Sequence, residues 1–144
     1  MRLLFLDFHG VLHPSPCPDG ALFGRAPLLA DALRDAPPDV RVVIASTWRF
    51  ELSRAQLCAR LPEPLAARVI GDTGPARPGP RSRYREILAY LDRFAAEAPD
   101  WRALDDTPSL YPPGCPQLIA CDPTIGIDAP QLRALAAWWR NPSG

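Results

Sequence analysis

Residues Leu3 to Pro14 read LLFLDFHGVLHP: four apolar residues run into Asp7, and Phe8, His9 and Gly10 break the run before Val11 and Leu12. An apolar run of this length without alternation predicts a strand covered on both faces. The glycine just beyond it gives the backbone freedom for a sharp turn. Open α/β sheets bind ligands just outside the carboxyl ends of their strands, where Asp7 would sit. A lone Asp in that position serves equally well as a turn or helix cap, so its partners elsewhere in the chain carry the decision.

Three later stretches repeat the pattern. VRVVIA, Val40 to Ala45, is a second buried strand that runs into Ser46, Thr47 and Trp48. WRAL, Trp101 to Leu104, is a short strand ending in Asp105 and Asp106, and QLIA, Gln117 to Ala120, is a fifth strand. Leu65 to Gly71 holds a short third one. Between them, helical apolar spacing marks 26–34, 51–61, 83–96 and 130–140, the last with Pro130 in its first turn. Residues 72–82, DTGPARPGPRS, read as an extended surface loop. Strands alternating with helices predict an α/β fold, a three-layer Rossmann-like sandwich around a mostly parallel sheet.

The chain has 144 residues, a length that suits one domain spanning 1–144. Its 47% hydrophobic and 22% charged residues are ordinary globular values and exclude a disordered chain. All 16 basic residues are Arg and balance 16 acids. That balance removes the electrostatic case for avid nonspecific nucleic-acid binding and leaves room for a local Arg patch. The 19 prolines cluster between elements as stiff connections. Cys17, Cys58, Cys115 and Cys121 show no paired spacing that suggests zinc, and there is no secretory signal, so free thiols in a cytoplasmic protein are expected. The apolar start is too short for a membrane span.

In a parallel sheet every strand's carboxyl end lies on one edge, so Asp7, Ser46 with Thr47, and Asp105 with Asp106 can converge. Three close carboxylates repel unless a cation sits among them, and hard oxygen ligands suit Mg²⁺. The Ser46 hydroxyl and an Arg would then hold phosphoryl oxygens while Asp7 attacks phosphorus.

At this point the sequence resembles the haloacid dehalogenase-like (HAD) hydrolase superfamily. LLFLDFHGVL is similar to its first motif, VVIASTWR to its second, and WRALDD to its fourth. Arg83 in RSRYREILAYL is the first choice for the basic third motif, with Arg81 second. STWR, R-x-x-E-I-x-x-Y-L and W-x-x-L-D-D together resemble the small HAD domains of RNA-repair proteins. The resemblance implies that Asp7 is nucleophile and Mg²⁺ ligand, with the backbone carbonyl of His9 a second ligand. It implies that Ser46, with Thr47 as fallback, bonds the phosphoryl oxygens and that Arg83 neutralises charge there. Asp106 would ligate Mg²⁺, and Asp105 would orient the basic residue or a metal-bound water. Arg49 would be either a second phosphate contact or half of a surface ion pair, and His13 a loop residue or a substrate contact.

The family's phosphatases carry Asp two positions after the nucleophile, as the acid and base of the reaction; here that residue is His9. Backbone ligation survives the change, whereas proton transfer must fall to an imidazole that titrates near neutrality. Gaps of about thirty residues between motifs leave no room for a full cap domain. An open site then suits a phosphorylated substrate of any size: a small phosphoester, a nucleotide or a macromolecular phosphate. Three functions follow: a Mg²⁺-dependent phosphohydrolase, a catalytically weakened phosphate-binding or regulatory module, and a nucleic-acid end-processing phosphatase.

Overall fold

The computed structural model describes residues 1–94 and 99–140. Strands β1 (Arg2–Leu6), β2 (Val40–Ile44), β3 (Val69–Asp72), β4 (Asp100–Asp105) and β5 (Leu118–Ala120) form one sheet in the order β3-β2-β1-β4-β5. Every pairing is parallel, so the sheet exceeds the expectation of a mostly parallel one. The chain runs outward from β1 through β2 to β3, then crosses back to β4 and β5. The order therefore reverses beside β1, and such a switch point is where open α/β sheets hold ligands, at the carboxyl edge.

The helices are α1 (Ala26–Arg34), α2 (Arg54–Cys58), α3 (Glu63–Ala66), α4 (Ser82–Phe94) and α5 (Ala129–Arg140). Because side chains alternate along a strand, Leu4 and Leu6 of β1 join Val42 and Ile44 against α1, α3 and α5. Leu3 and Phe5 face the opposite way and meet Ile87 and Tyr90 of α4. Burial on both faces explains the unalternated apolar runs. The result is the small three-layer α/β architecture, with no cap inserted between the elements of the described residues.

Two local expectations are corrected. The helix expected over 51–61 is shortened to α2, Arg54–Cys58, and a separate 3-10 turn, Thr47–Phe50, precedes it. Ser53 starts α2 afresh through a capping box, its hydroxyl accepting from the Gln56 amide while the Gln56 side chain returns to the Ser53 amide. The third strand is confined to Val69–Asp72, because Leu65 is the buried residue of α3. The end of the 83–96 helix lies partly outside the described residues. The cysteines are free, and among the described residues no helix is long and apolar enough to cross a membrane.

Candidate active site

β1 and β4 are adjacent and in register, Leu6 opposite Leu104, so the next residues, Asp7 and Asp105, emerge side by side. Asp7, Asp105 and Asp106 each present a carboxylate oxygen within 4.8 Å of the others. Asp7 and Asp105 are buried. Burial first, then the charge of Asp105, pushes the Asp7 carboxyl up to about 8, with Arg83 and the Phe8 amide pulling the other way.

Gly10 makes the close approach of the β1 turn to Asp106 possible. Its φ is +73°, and a Cβ there would run into Oδ2 of Asp106. Only a glycine lets the turn after β1 pass beneath that carboxylate.

Arg83, in the first turn of α4, reaches back over the sheet edge. Its Nη1 lies 3.0 Å from Asp105 Oδ2 and 3.4 Å from Asp7 Oδ1. Burial disfavours its charge, yet Asp7 and Asp105 more than offset this and hold the guanidinium above its ordinary pKa. Arg81, the other third-motif choice, is exposed and points Nη1 at the Tyr111 carbonyl. Tyr111, which no sequence motif marks, donates its hydroxyl to Asp105 Oδ2 at 3.0 Å. With the Thr107 amide on Oδ1, Asp105 is held by three donors and in turn fixes Arg83. No hydrogen bond among the described residues reaches Oδ2 of Asp7, Oδ2 of Asp106 or the carbonyl oxygen of His9.

Ser46 is fully buried at the end of β2 and caps the following turn, its Oγ accepting from the Trp48 amide at 3.2 Å. Its hydroxyl proton stays available. Thr47 is exposed on the same turn. Arg49 forms the ion pair that one expectation gave it, but inside the protein rather than at its surface. Its side chain is 2% exposed, and it donates to Glu86 Oε1, to the Gly74 carbonyl and to the Ala45 and Ser46 carbonyls. It is the clamp that ties the β2 and β3 loops to α4.

His9 is exposed, but both ring nitrogens are occupied: Nε2 by the Trp48 indole at 2.7 Å, Nδ1 by His13 Nε2 at 2.9 Å. His13, expected as a loop residue or a substrate contact, lies in the connection after β1 and is completely buried, and burial together with His9 lowers its pKa. Its Nδ1 faces the Phe23 amide at 3.2 Å. The indole and the amide only donate, so each neutral ring must turn its own N–H into the gap between the two rings. The three contacts cannot all persist, and the Phe23 contact is the longest.

A family model described as the HAD domain in Swiss Army Knife RNA repair proteins matches residues 3–132. The chain belongs to this family. That places the domain in a hydrolase superfamily. No curated protein and no solved structure matches the chain.

Proposed function

We propose that this HAD domain is a Mg²⁺-dependent phosphohydrolase that works through phosphorylated Asp7. One observation carries the reading: Asp7, Asp105 and Asp106 crowd within 4.8 Å at the switch point of the sheet, beneath Arg83. The donor set fits a hard cation, since Asp7, Asp106 and the His9 carbonyl each keep an oxygen free of hydrogen bonds. Bound there, Mg²⁺ would offset the carboxylate charge and polarise the phosphoryl oxygens.

A carboxylate oxygen of Asp7 attacks phosphorus, the bond from phosphorus to the substrate oxygen breaks, and that oxygen takes a proton from His9 or from water as it leaves. Water then attacks the aspartyl-phosphate and gives up a proton, orthophosphate departs, and Asp7 returns as a carboxylate. Arg83 and the Ser46 hydroxyl, with Thr47 the more accessible alternative, hold the phosphoryl oxygens through both steps. Asp105 aims Arg83, and Arg49 stiffens the loops without touching substrate. No element among the described residues caps the site, so a nucleotide or the phosphorylated end of a nucleic acid reaches Asp7 as readily as a small ester does; the family's RNA-repair context favours the nucleic-acid end.

The occupied nitrogens of His9 support a second reading, a phosphate-binding module with weak turnover. Phosphate release from aryl, alkyl and nucleotide phosphates separates the two. The native protein is expected to hydrolyse aryl and nucleotide phosphates only with Mg²⁺, Asp7→Asn to be inert, and His9→Asp to be faster on alkyl esters. A silent native protein beside an active His9→Asp would make the module reading the correct one.

A further inference from the structure

A cavity of about 430 Å³ opens along the outer edge of β3, lined among others by Arg54, Arg77, Arg93, Thr73, Tyr90 and Phe94. It lies outside the carboxylate cluster but level with it. Leu6 is opposite Ile44 and Ile44 opposite Asp72, so Asp7 and Thr73 occupy the same register on the carboxyl edge. Two strand spacings put them roughly 10 Å apart. From Thr73 the cavity descends beside β3 toward the last turn of α4.

Its chemistry is that of an anion site. Among the described residues that line it, three guanidinium groups face a single acid, Asp72, whose Oδ1 is already bonded to the Gly74 amide. Arg77 and Arg93 are exposed, and neither guanidinium has a hydrogen-bond or carboxylate partner among the described residues. The Arg77 backbone is nevertheless fixed, its amide bonded to Glu86 and its carbonyl to Arg85. Thr73 is buried, and its Oγ1 is the one buried side-chain polar atom without a partner among the described residues. A buried hydroxyl left unpaired costs stability, so such an atom marks a place where a ligand can supply the missing bond.

The backbone is shaped to the same end. Val42 pairs with Val69 and Val43 with Gly71, so Ile70 bulges from β3, and Arg54 Nη1 takes its carbonyl at 2.8 Å. Gly71 leaves a cradle beneath two donors: a Cβ there would lie 3.3 Å from the Tyr90 hydroxyl and 3.8 Å from Arg54 Nη1. At the lower end Phe94 is 62% exposed, with the Arg93 guanidinium 4.9 Å from its ring centroid and the Tyr90 ring 5.0 Å away. A cationic groove ending in an open aromatic face is how proteins hold single strands, phosphates on arginines and a base on the ring.

We propose that this cavity is a second phosphate-binding site, which takes an internal phosphodiester of a single strand. That the same strand delivers its terminal phosphate to Asp7 rests on the phosphohydrolase reading; the binding site does not.

The test is fluorescence anisotropy with a labelled hexauridylate lacking terminal phosphates, on the full chain, as native protein, Arg77→Glu/Arg93→Glu and Thr73→Val. The double variant should bind at least tenfold more weakly, and its log–log salt slope should be shallower by roughly 0.7 for each phosphate no longer neutralised. Thr73→Val, isosteric and unable to bond, should bind more weakly while melting no lower than the native protein. Equal binding by the native protein and the double variant would overturn the site. A nucleoside bisphosphate that binds as tightly as the hexamer would overturn the strand assignment. In a second arm, the kcat/KM ratio of a terminally phosphorylated hexamer to an aryl phosphate should fall about tenfold in the double variant. Absence of hydrolysis with binding intact would count against Asp7 chemistry alone, and equal binding of hexamer by native and variant proteins with hydrolysis intact against the cavity alone.

Discussion

The Trp48 indole donates to Nε2 of His9 across 2.7 Å. At the position where the family's phosphatases place an acid, this chain has a ring whose second nitrogen is also taken, by His13. Proton transfer to a leaving group then requires His9 to break away first. Trp48→Phe keeps an aromatic ring against Phe8 and Phe23 and removes the donor. Steady-state kinetics should show its alkyl-to-aryl kcat ratio rising by about tenfold, the low side of what a positioned acid supplies. An unchanged ratio would mean that His9 plays no part in proton transfer.

The Asp7 carboxyl is raised to about 8 in the metal-free protein, chiefly by burial and then by Asp105. A free or unfolded Asp titrates near 3.9. The folded state thus binds the extra proton, and this contribution to stability is full below the unfolded value and lost as pH climbs toward 8. Metal-free native protein should melt lower at pH 8 than at pH 5, and Asp7→Asn should flatten that trend. Mg²⁺ should raise the melting temperature more at pH 8, and calorimetry at pH 7 in two buffers should register proton release on binding. Equal Mg²⁺ shifts at both pH values would contradict the assignment.

Gly10→Ala drives a methyl group into Asp106 at a backbone φ of +73°. The strained backbone alone should cost about 1–3 kcal/mol in urea unfolding. Displacement of Asp106 should abolish the melting shift produced by Mg²⁺. Retention of that shift would remove Asp106 from the ligand set.

Arg49 and Glu86 form a buried pair, their side chains 2% and 8% exposed. Arg49→Ala leaves a buried carboxylate short of its main partner, and urea unfolding should show a loss of about 3–5 kcal/mol. Arg49→Met with Glu86→Leu should recover much of it. If Arg49 were a phosphate contact instead, the single substitution would raise KM with little effect on stability.

The three-layer fold was legible because a parallel sheet buried on both faces writes its strands as apolar runs, as LLFL and VRVVIA do, and the short WRAL repeats the pattern of a strand running into acids. The convergence of Asp7 with Asp105 was legible too, since strand ends share an edge. What escaped were contacts between loops. Nothing in the spacing of Arg49 places it against Glu86, thirty-seven residues on, and Tyr111 sits in a Pro/Gly stretch with no periodicity. His13 is in the loop expected of it, but its burial was hidden because the turn that encloses it depends on the positive φ of Gly10. The capping box at Ser53 was visible as Ser53 and Gln56, three residues apart, and it outweighed the apolar spacing that suggested one longer helix.

The central place of β1 has a consequence for how the chain is made. Arg2 pairs with Val40 on one side and with Asp100 on the other. During synthesis β1 can zip onto β2 early, but its second edge stays bare until β4 has left the ribosome. Such distant pairing folds slowly and leaves an apolar strand edge open to other chains. A chain released before Asp100 would carry Asp7 without its partner carboxylates and would present Arg2–Leu6 as an aggregation surface, so in this protein translation must pass β4 before the nascent chain is either safe or complete.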